Sequence, residues 1–274
     1  MLGDVLTYLQ CPHCQADLSM DGAVRCASGH EFDVARQGYV NLLSGKTSVS
    51  GDNAEMVAAR AAFLDGGHYA PIMRSMVAAA QVEPSGCVAD LGAGTGHYLA
   101  AALDAGPDRV GLALEIAKPA LRRAARAHPR LGAVGCDAWG RLPVRDGVVS
   151  LVLNVFAPRN PAEIHRILER DGRLVVVAPT ERHLSGLVTE LGLLTVAPDK
   201  AARVTEALAP RFELSTQDTC EFEMSLSHEE VLTLVGMGPS AWHVAPEELR
   251  AAVTALPAPV TVTSSVLVSS YRRV

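Results

Sequence analysis

From residue 86 onward, short apolar runs alternate with helical stretches, and this alternation leaves few folds open to the chain. GCVADLGAG (86–94) reads as a strand entering a glycine turn. A helix is expected over 97–105, a strand over 109–115 (RVGLALE) and a helix over 117–127. A strand near 132–136, a strand over 148–154 (VVSLVLN), a helix over 161–169 and a strand over 173–179 (RLVVVAP) follow. Strands separated by helices need crossovers, which gives a parallel, doubly wound α/β sheet. The C-terminal part differs. RFELSTQDTCEFEMS and APVTVTSSVLVSS both read as strands and are expected to add an antiparallel edge to the same sheet.

The glycine turn has acidic company. In VADLGAGTGHY (88–98), Asp90 precedes Gly92, Gly94 and Gly96, and Glu115 ends the next strand nineteen residues after Gly96. Asp137 follows the third strand. Glycines let backbone approach a ligand closely, and a carboxylate beyond the second strand accepts from ribose hydroxyls. Dinucleotides and S-adenosylmethionine are both held this way. A G-x-G-x-x-G fingerprint is not met, because His97 stands where its last glycine belongs. Asp90, the loop, Glu115 and Asp137 in that order resemble class I, Rossmann-like methyltransferases. By that resemblance Glu115 holds the ribose hydroxyls and Asp137 lies near the adenine amino group.

The N-terminal block carries a second signal. Cys11, Cys14, Cys26 and His30 form C-x2-C-x11-C-x3-H, a spacing that suits one tetrahedral zinc ion. A block of this length buries too little core to hold itself together, so a staple is expected. The sequence is expected to divide into a zinc-binding unit (1–46), a linker with helices (47–82) and a methyltransferase domain (83–274). There is no run of eighteen apolar residues, so no membrane span is expected. No signal-peptide pattern opens the chain, and a cytoplasmic protein is expected. The net charge of −6 taken alone argues against nucleic acid. Residues 118–130 (KPALRRAARAHPR) nevertheless carry five positive side chains and no negative one.

Three further stretches narrow the resemblance: CPHCQADL with GHEFDVARQGYVNLL, RAAFLDGGHYAPI, and NVFAPRNPAEIHRIL. With APTERHL and GMGPSAWH they resemble bacterial 23S rRNA guanine-N1 methyltransferases nearly end to end. The branch that includes the tylosin-resistance enzymes of actinomycetes is the most similar, and its target is guanine 748 of hairpin 35 rather than 745. The resemblance implies S-adenosylmethionine as cofactor, 23S rRNA as partner and a structural zinc ion on the four ligands. It also implies cofactor contacts from Tyr69, Gly96, His97 and His183, beside Asp90, Gly92 and Gly94.

In NVFAPRN, just after the fourth strand, Asn154 is expected to hydrogen-bond a base edge and Phe156 to stack on it. Arg159 is expected to bind phosphate or charge developing at guanine O6. Arg25, Arg36 and Lys46 are expected to contact phosphate, and Trp242 to line the target cleft. Two copies could span a hairpin, though no heptad pattern demands a homodimer. A small-molecule C- or O-methyltransferase is the alternative from the sheet alone, but it leaves the zinc block unexplained.

Overall fold

The computed structural model describes residues 1–45, 51–80, 85–193, 197, 199–238 and 245–274. Lys46 and Trp242 lie outside the described residues.

Eight strands form the main sheet. They are β4 (Tyr39–Asn41), β5 (Ser85–Leu91), β6 (Asp108–Glu115), β7 (Leu131–Gly135), β8 (Val149–Val155), β9 (Leu168–Pro179), β10 (Phe212–Leu226) and β11 (Val260–Arg273). Their order is β10-β11-β9-β8-β5-β6-β7-β4. β4 to β9 run parallel, and β11 and β10 close one side antiparallel, as the C-terminal pattern implies. The order reverses between β5 and β8, and ligands of such sheets bind beyond the carboxyl ends of the strands at that switch point.

Both faces of the sheet are covered. On β5, Val88 packs into one apolar layer with Tyr69, Ile72 and Met76, the last two on α3 (Ala70–Ala80). Cys87, Ala89 and Leu91 pack into the other. Strands buried on both faces read as near-continuous apolar runs, which is why this region is legible. β9 starts at Leu168, five residues before the strand expected at 173, because α6 (Pro161–Ile167) passes into it directly. The basic helix is shorter than expected: α5 spans Lys118–Ala124, burying Ala120, Leu121 and Ala124 and leaving Arg122 and Arg123 exposed.

The N-terminal residues form a small antiparallel sheet, β1 (Leu18–Asp21), β2 (Ala23–Cys26) and β3 (Glu31–Phe32), and then supply β4 to the main sheet. Leu18, Val24 and Phe32 share an apolar layer with Leu112, Leu114 and Val134 of the main sheet. The joint is also polar. The Gln10 amide donates to Pro143 O at 3.0 Å, Arg145 pairs with Asp17 at 2.7 Å, and Arg141 donates to Gln15 Oε1 at 2.9 Å. Beneath it, α1 (Leu2–Val5) lays Val5 directly on Gly132 of β7. Gly132→Ala would force a Cβ into Val5, and the expected loss is about 1–3 kcal/mol. Urea unfolding should show a lower midpoint at an unchanged slope.

Candidate active site and metal centre

A cavity of about 360 Å³ opens at the switch point, lined by the ends of β5, β6 and β8, the residues after β7, and α2 (Ala54–Asp65). Gly92 has φ +75°, and a Cβ there would meet Ala157 Cβ at 2.6 Å, so the glycine loop and the loop after β8 can touch only without a side chain. Glu115 is fixed by three backbone donors: Gly94 N at 2.8 Å on Oε2, and Ile116 N at 2.7 Å and Ala117 N at 2.8 Å on Oε1. The expected cofactor residues Tyr69, Asp90, Gly92, Gly94, Glu115 and Asp137 all line the cavity.

Asp90 is 1% exposed, and neither carboxylate oxygen has a hydrogen-bond partner among the described residues. Burial, with Glu115 adding repulsion, pushes its carboxyl up to about 8. A buried, unpaired carboxylate facing a cavity fits a cationic group on a ligand. The lining reinforces this: Asp52, Asp90, Glu115 and Asp137 face a single cation among the described residues, Arg60, which already pairs with Asp52. A pyrophosphate-bearing dinucleotide is poorly served here, whereas a nucleoside carrying an ammonium and a sulfonium fits the donor set.

Tyr69 and Phe156 line one end of the cavity, and the expected cofactor residue His183 does not line it but packs against both rings. Tyr69 lies 6.2 Å from Phe156 and 6.2 Å from His183, centroid to centroid, and Phe156 lies 5.7 Å from His183. Ser265 N donates to His183 Nδ1 at 3.2 Å, so the proton of the neutral ring sits on Nε2, 3.4 Å from the Tyr69 hydroxyl. Burial lowers the His183 pKa to about 4, which keeps the ring neutral.

Four further expected site residues, Asn154, Arg159, His97 and Gly96, stand back from the cavity. Asn154 is fully buried, and its Nδ2 donates to Pro158 O at 2.8 Å and Leu91 O at 3.4 Å. Its Oδ1 accepts from Arg159 Nε at 2.9 Å. With these groups spent, Asn154 fastens the loop after β8 instead of reaching a base edge, and Arg159, also bonded to Ala157 O, braces the same loop. The loop carries Phe156 at φ +52°, a conformation non-glycine residues seldom hold, with the ring 40% exposed. His97 bridges Thr95 Oγ1 at 2.8 Å and Asp65 at 3.0 Å, tying the glycine loop to α2. Gly96 meets Ala124 and Ala127, where a Cβ would lie 3.0–3.1 Å from them, so its role is close packing beside α5.

The sequence reading missed Arg60, Tyr98 and Trp139. Arg60 reaches from α2 to Asp52 and to Met237 O at 2.8 Å, a tertiary contact without a local signature. Tyr98 directly follows the glycine motif and faces Phe156 at 6.5 Å. Trp139 sits two residues past Asp137 on the cavity rim.

In the ribbon, the ligand atoms of Cys11, Cys14, Cys26 and His30 all lie within 4.8 Å of one another. Cys26 Sγ is 3.3 Å from His30 Nδ1, Cys11 Sγ is 3.5 Å from the same atom, and Cys14 and Cys26 sulfurs are 3.6 Å apart. Arms of about 2.0–2.3 Å around a tetrahedral zinc ion give edges of roughly 3.5–3.8 Å, so the cluster is close to coordination size. Arg25 pairs with Glu31 at 2.9 Å on the ribbon surface, and Arg36 is exposed.

The strand order, the glycine loop and the carboxylates at successive strand ends define a class I methyltransferase. Solved structures agree at the level of fold. A Bacillus halodurans protein solved as a methyltransferase aligns with TM-score 0.52 and 14% identity, covering 73% of this chain and 97% of its own. A methyltransferase solved with the Haloferax volcanii Trm112 activator aligns at 0.53 and 16%, covering 82% and 99%. Residues 9–48 match the zinc-ribbon family described as RlmA, N-terminal. The chain is 50% identical over 271 residues to the 23S rRNA (guanine(748)-N(1))-methyltransferase of Streptomyces fradiae, covering 97% of each. It is 52% identical over 290 residues to a Micromonospora griseorubida protein named as a 23S rRNA (guanine-N(1)-)-methyltransferase, covering 98% of each. The chain belongs to the 23S rRNA (guanine-N1)-methyltransferase family.

Asp90 gives a pH-dependent expectation for the ligand-free protein. Its folded-state pKa, about 8, is above the ordinary aspartate range, so the folded state holds a proton that the unfolded state releases between the two. Stability should therefore fall as pH rises through that window, by up to about 1.4 kcal/mol per pH unit from this group. Asp90→Asn should flatten the slope in urea titrations between pH 5 and 8.

Proposed function

We propose that the chain transfers the methyl group of S-adenosylmethionine to N1 of a guanine in the hairpin 35 loop of 23S rRNA. Position 748 is favoured over 745, and the product lowers binding of tylosin- or mycinamicin-type macrolides. The reading rests chiefly on the end-to-end relation with the Streptomyces fradiae enzyme, half of whose aligned residues are identical. No helix among the described residues is long and apolar enough to cross a membrane, which is compatible with work on ribosomal RNA in the cytoplasm.

S-Adenosylmethionine supplies an activated methyl group on a sulfonium. In this reading Asp90 takes the ammonium of its amino-acid end, Glu115 the ribose hydroxyls and Asp137 the adenine amino group. Gly92 and Gly94 hold the backbone close, while Tyr69, backed by His183, walls the aromatic end. Gly96 and His97 support the loop from behind. The target guanine leaves its stack to enter the site. Phe156 meets its face, and Asn154 and Arg159 hold Phe156 in its left-handed turn. Burial, then Arg159 and Arg203, depress the Lys200 ammonium, so these three cations are near one another.

The four ribbon ligands leave no open position, so the zinc ion in this reading is structural. Arg25 and Arg36, with Lys46 and Trp242 outside the described residues, are the RNA contacts of this reading. The Arg25–Glu31 pair is solvent-exposed and so weak enough to be exchanged for a phosphate.

The deciding experiment is primer extension across hairpin 35, in a strain lacking its own methylation there and expressing this chain. N1-methylguanine cannot form a Watson–Crick pair, so a new stop at 748 is expected. A stop at 745 would overturn the position, and no stop from folded, zinc-loaded protein would overturn the activity. Metal analysis should give one zinc per chain, and Cys26→Ala should abolish it. Because structural sites of this kind contribute on the order of 10 kcal/mol, the variant should also melt at a markedly lower temperature.

A further inference from the structure

The rim of the cavity holds an aromatic side chain that the preceding mechanism does not use. Among the described residues the large exposed apolar side chains are Met1, Met20, Trp139, Phe156, Leu214 and Val274, and only two are aromatic. Both of those line the cavity. Phe156 is 40% exposed and Trp139 57%. An indole left in water contributes little to the core, so its fixed position at the mouth of the site calls for a ligand.

The turn that carries Trp139 is held from several sides. Its backbone N–H donates to Asp137 Oδ1 at 2.9 Å, and its carbonyl accepts from Asn160 Nδ2 at 3.0 Å. Gly140 N closes the turn on Asp137 O at 3.2 Å. Asn160 is also the N-cap of α6 and follows the Phe156 loop, so the two exposed aromatics are mounted on loops tied to each other. Two residues further on, Arg141 donates to Gln15, next to the ribbon ligand Cys14, and Arg145 pairs with Asp17. The segment 139–145 therefore runs from the cavity, which Trp139 lines, to the ribbon, which Arg141 and Arg145 seat.

The adenine of the cofactor does not need this ring. Ile116 and Ala138 already line the cavity beside Glu115 and Asp137 and supply apolar walls at that end. We propose that Trp139 is a stacking platform for a nucleobase of the RNA flanking the target guanine, holding the strand open while the target occupies the pocket beside Phe156. The inference rests on the RNA-methylating reading above and adds a substrate-positioning residue to it. Stacking of a base on an aromatic side chain is sequence-tolerant and is lost on truncation to alanine.

The test compares wild type, Trp139→Phe and Trp139→Ala on deproteinised 23S rRNA, with S-adenosylhomocysteine affinity measured by calorimetry and zinc content and melting temperature as folding controls. Trp139→Ala is expected to lower kcat/KM for RNA by about ten- to a hundredfold, with S-adenosylhomocysteine affinity within about threefold of wild type. Trp139→Phe, which keeps a π-face, is expected to recover most of the loss. Weakened S-adenosylhomocysteine binding in a folded Trp139→Ala would assign the ring to adenine and overturn the proposal. So would wild-type kcat/KM in that variant, or a Trp139→Phe no better than alanine. An inactive wild type would instead overturn the RNA-methylating reading itself. If Trp139→Ala fails to fold, a base analogue whose fluorescence reports stacking, placed beside the target guanine, gives the same decision with Trp139→Phe and wild type. Quenching by wild type supports the platform, and unquenched fluorescence on binding overturns it.

Discussion

The Glu115 carboxylate accepts from Gly94 N and from the two backbone N–H groups that follow it, and the shape of the site depends on this. A carboxylate with three donors is held in one orientation, and it locks the glycine loop to the end of the second central strand. Once that loop is fixed, Gly92 can lie against Ala157 and the cavity has a defined floor. Asp90, on the strand below, has no such partners. The two carboxylates thus play opposite parts. One is satisfied by the protein and builds the wall, and the other is left unsatisfied, so the wall has something to offer a cation.

The ribbon is not an appendage on a finished domain. Its apolar residues Leu18, Val24 and Phe32 belong to the same buried layer as the strands of the main sheet, and its last strand is the outer edge of that sheet. Gln15 and Asp17, beside the cluster of Cys11, Cys14, Cys26 and His30, meet Arg141 and Arg145, which sets the relation of the ribbon surface to the mouth of the cavity.

Much of this was legible from the residues. The parallel sheet follows from local alternation, and the carboxylates follow from where strands end, both short-range signals. The clustering of Cys11, Cys14, Cys26 and His30 was legible because their spacing is the one a tetrahedral ion demands. What escaped depends on distant parts of the chain. β4 is three residues long and becomes a strand only because β7 lies beside it. Asn154 looked available to a substrate, but carbonyls of residues 91 and 158 consume its amide, and no sequence pattern announces that. Arg60 acts through a backbone oxygen of Met237, far along the chain. Trp139 was hidden by its ordinariness, since an isolated tryptophan is more often core than rim.

The pairing of Asn41 with Gly135 bears on how the chain is made. During synthesis the ribbon precedes the main sheet, with Cys11, Cys14, Cys26 and His30 all in place, yet the strand it must pair with is translated only after two further strands, β5 and β6. Contacts of such long sequence separation form late, because loop closure precedes their reward. The nascent ribbon thus holds its cluster of three cysteines and a histidine complete while its apolar underside still lacks the layer that covers it. Assembling the cluster and docking the ribbon are therefore separate events in time, joined only when the main sheet closes over the ribbon.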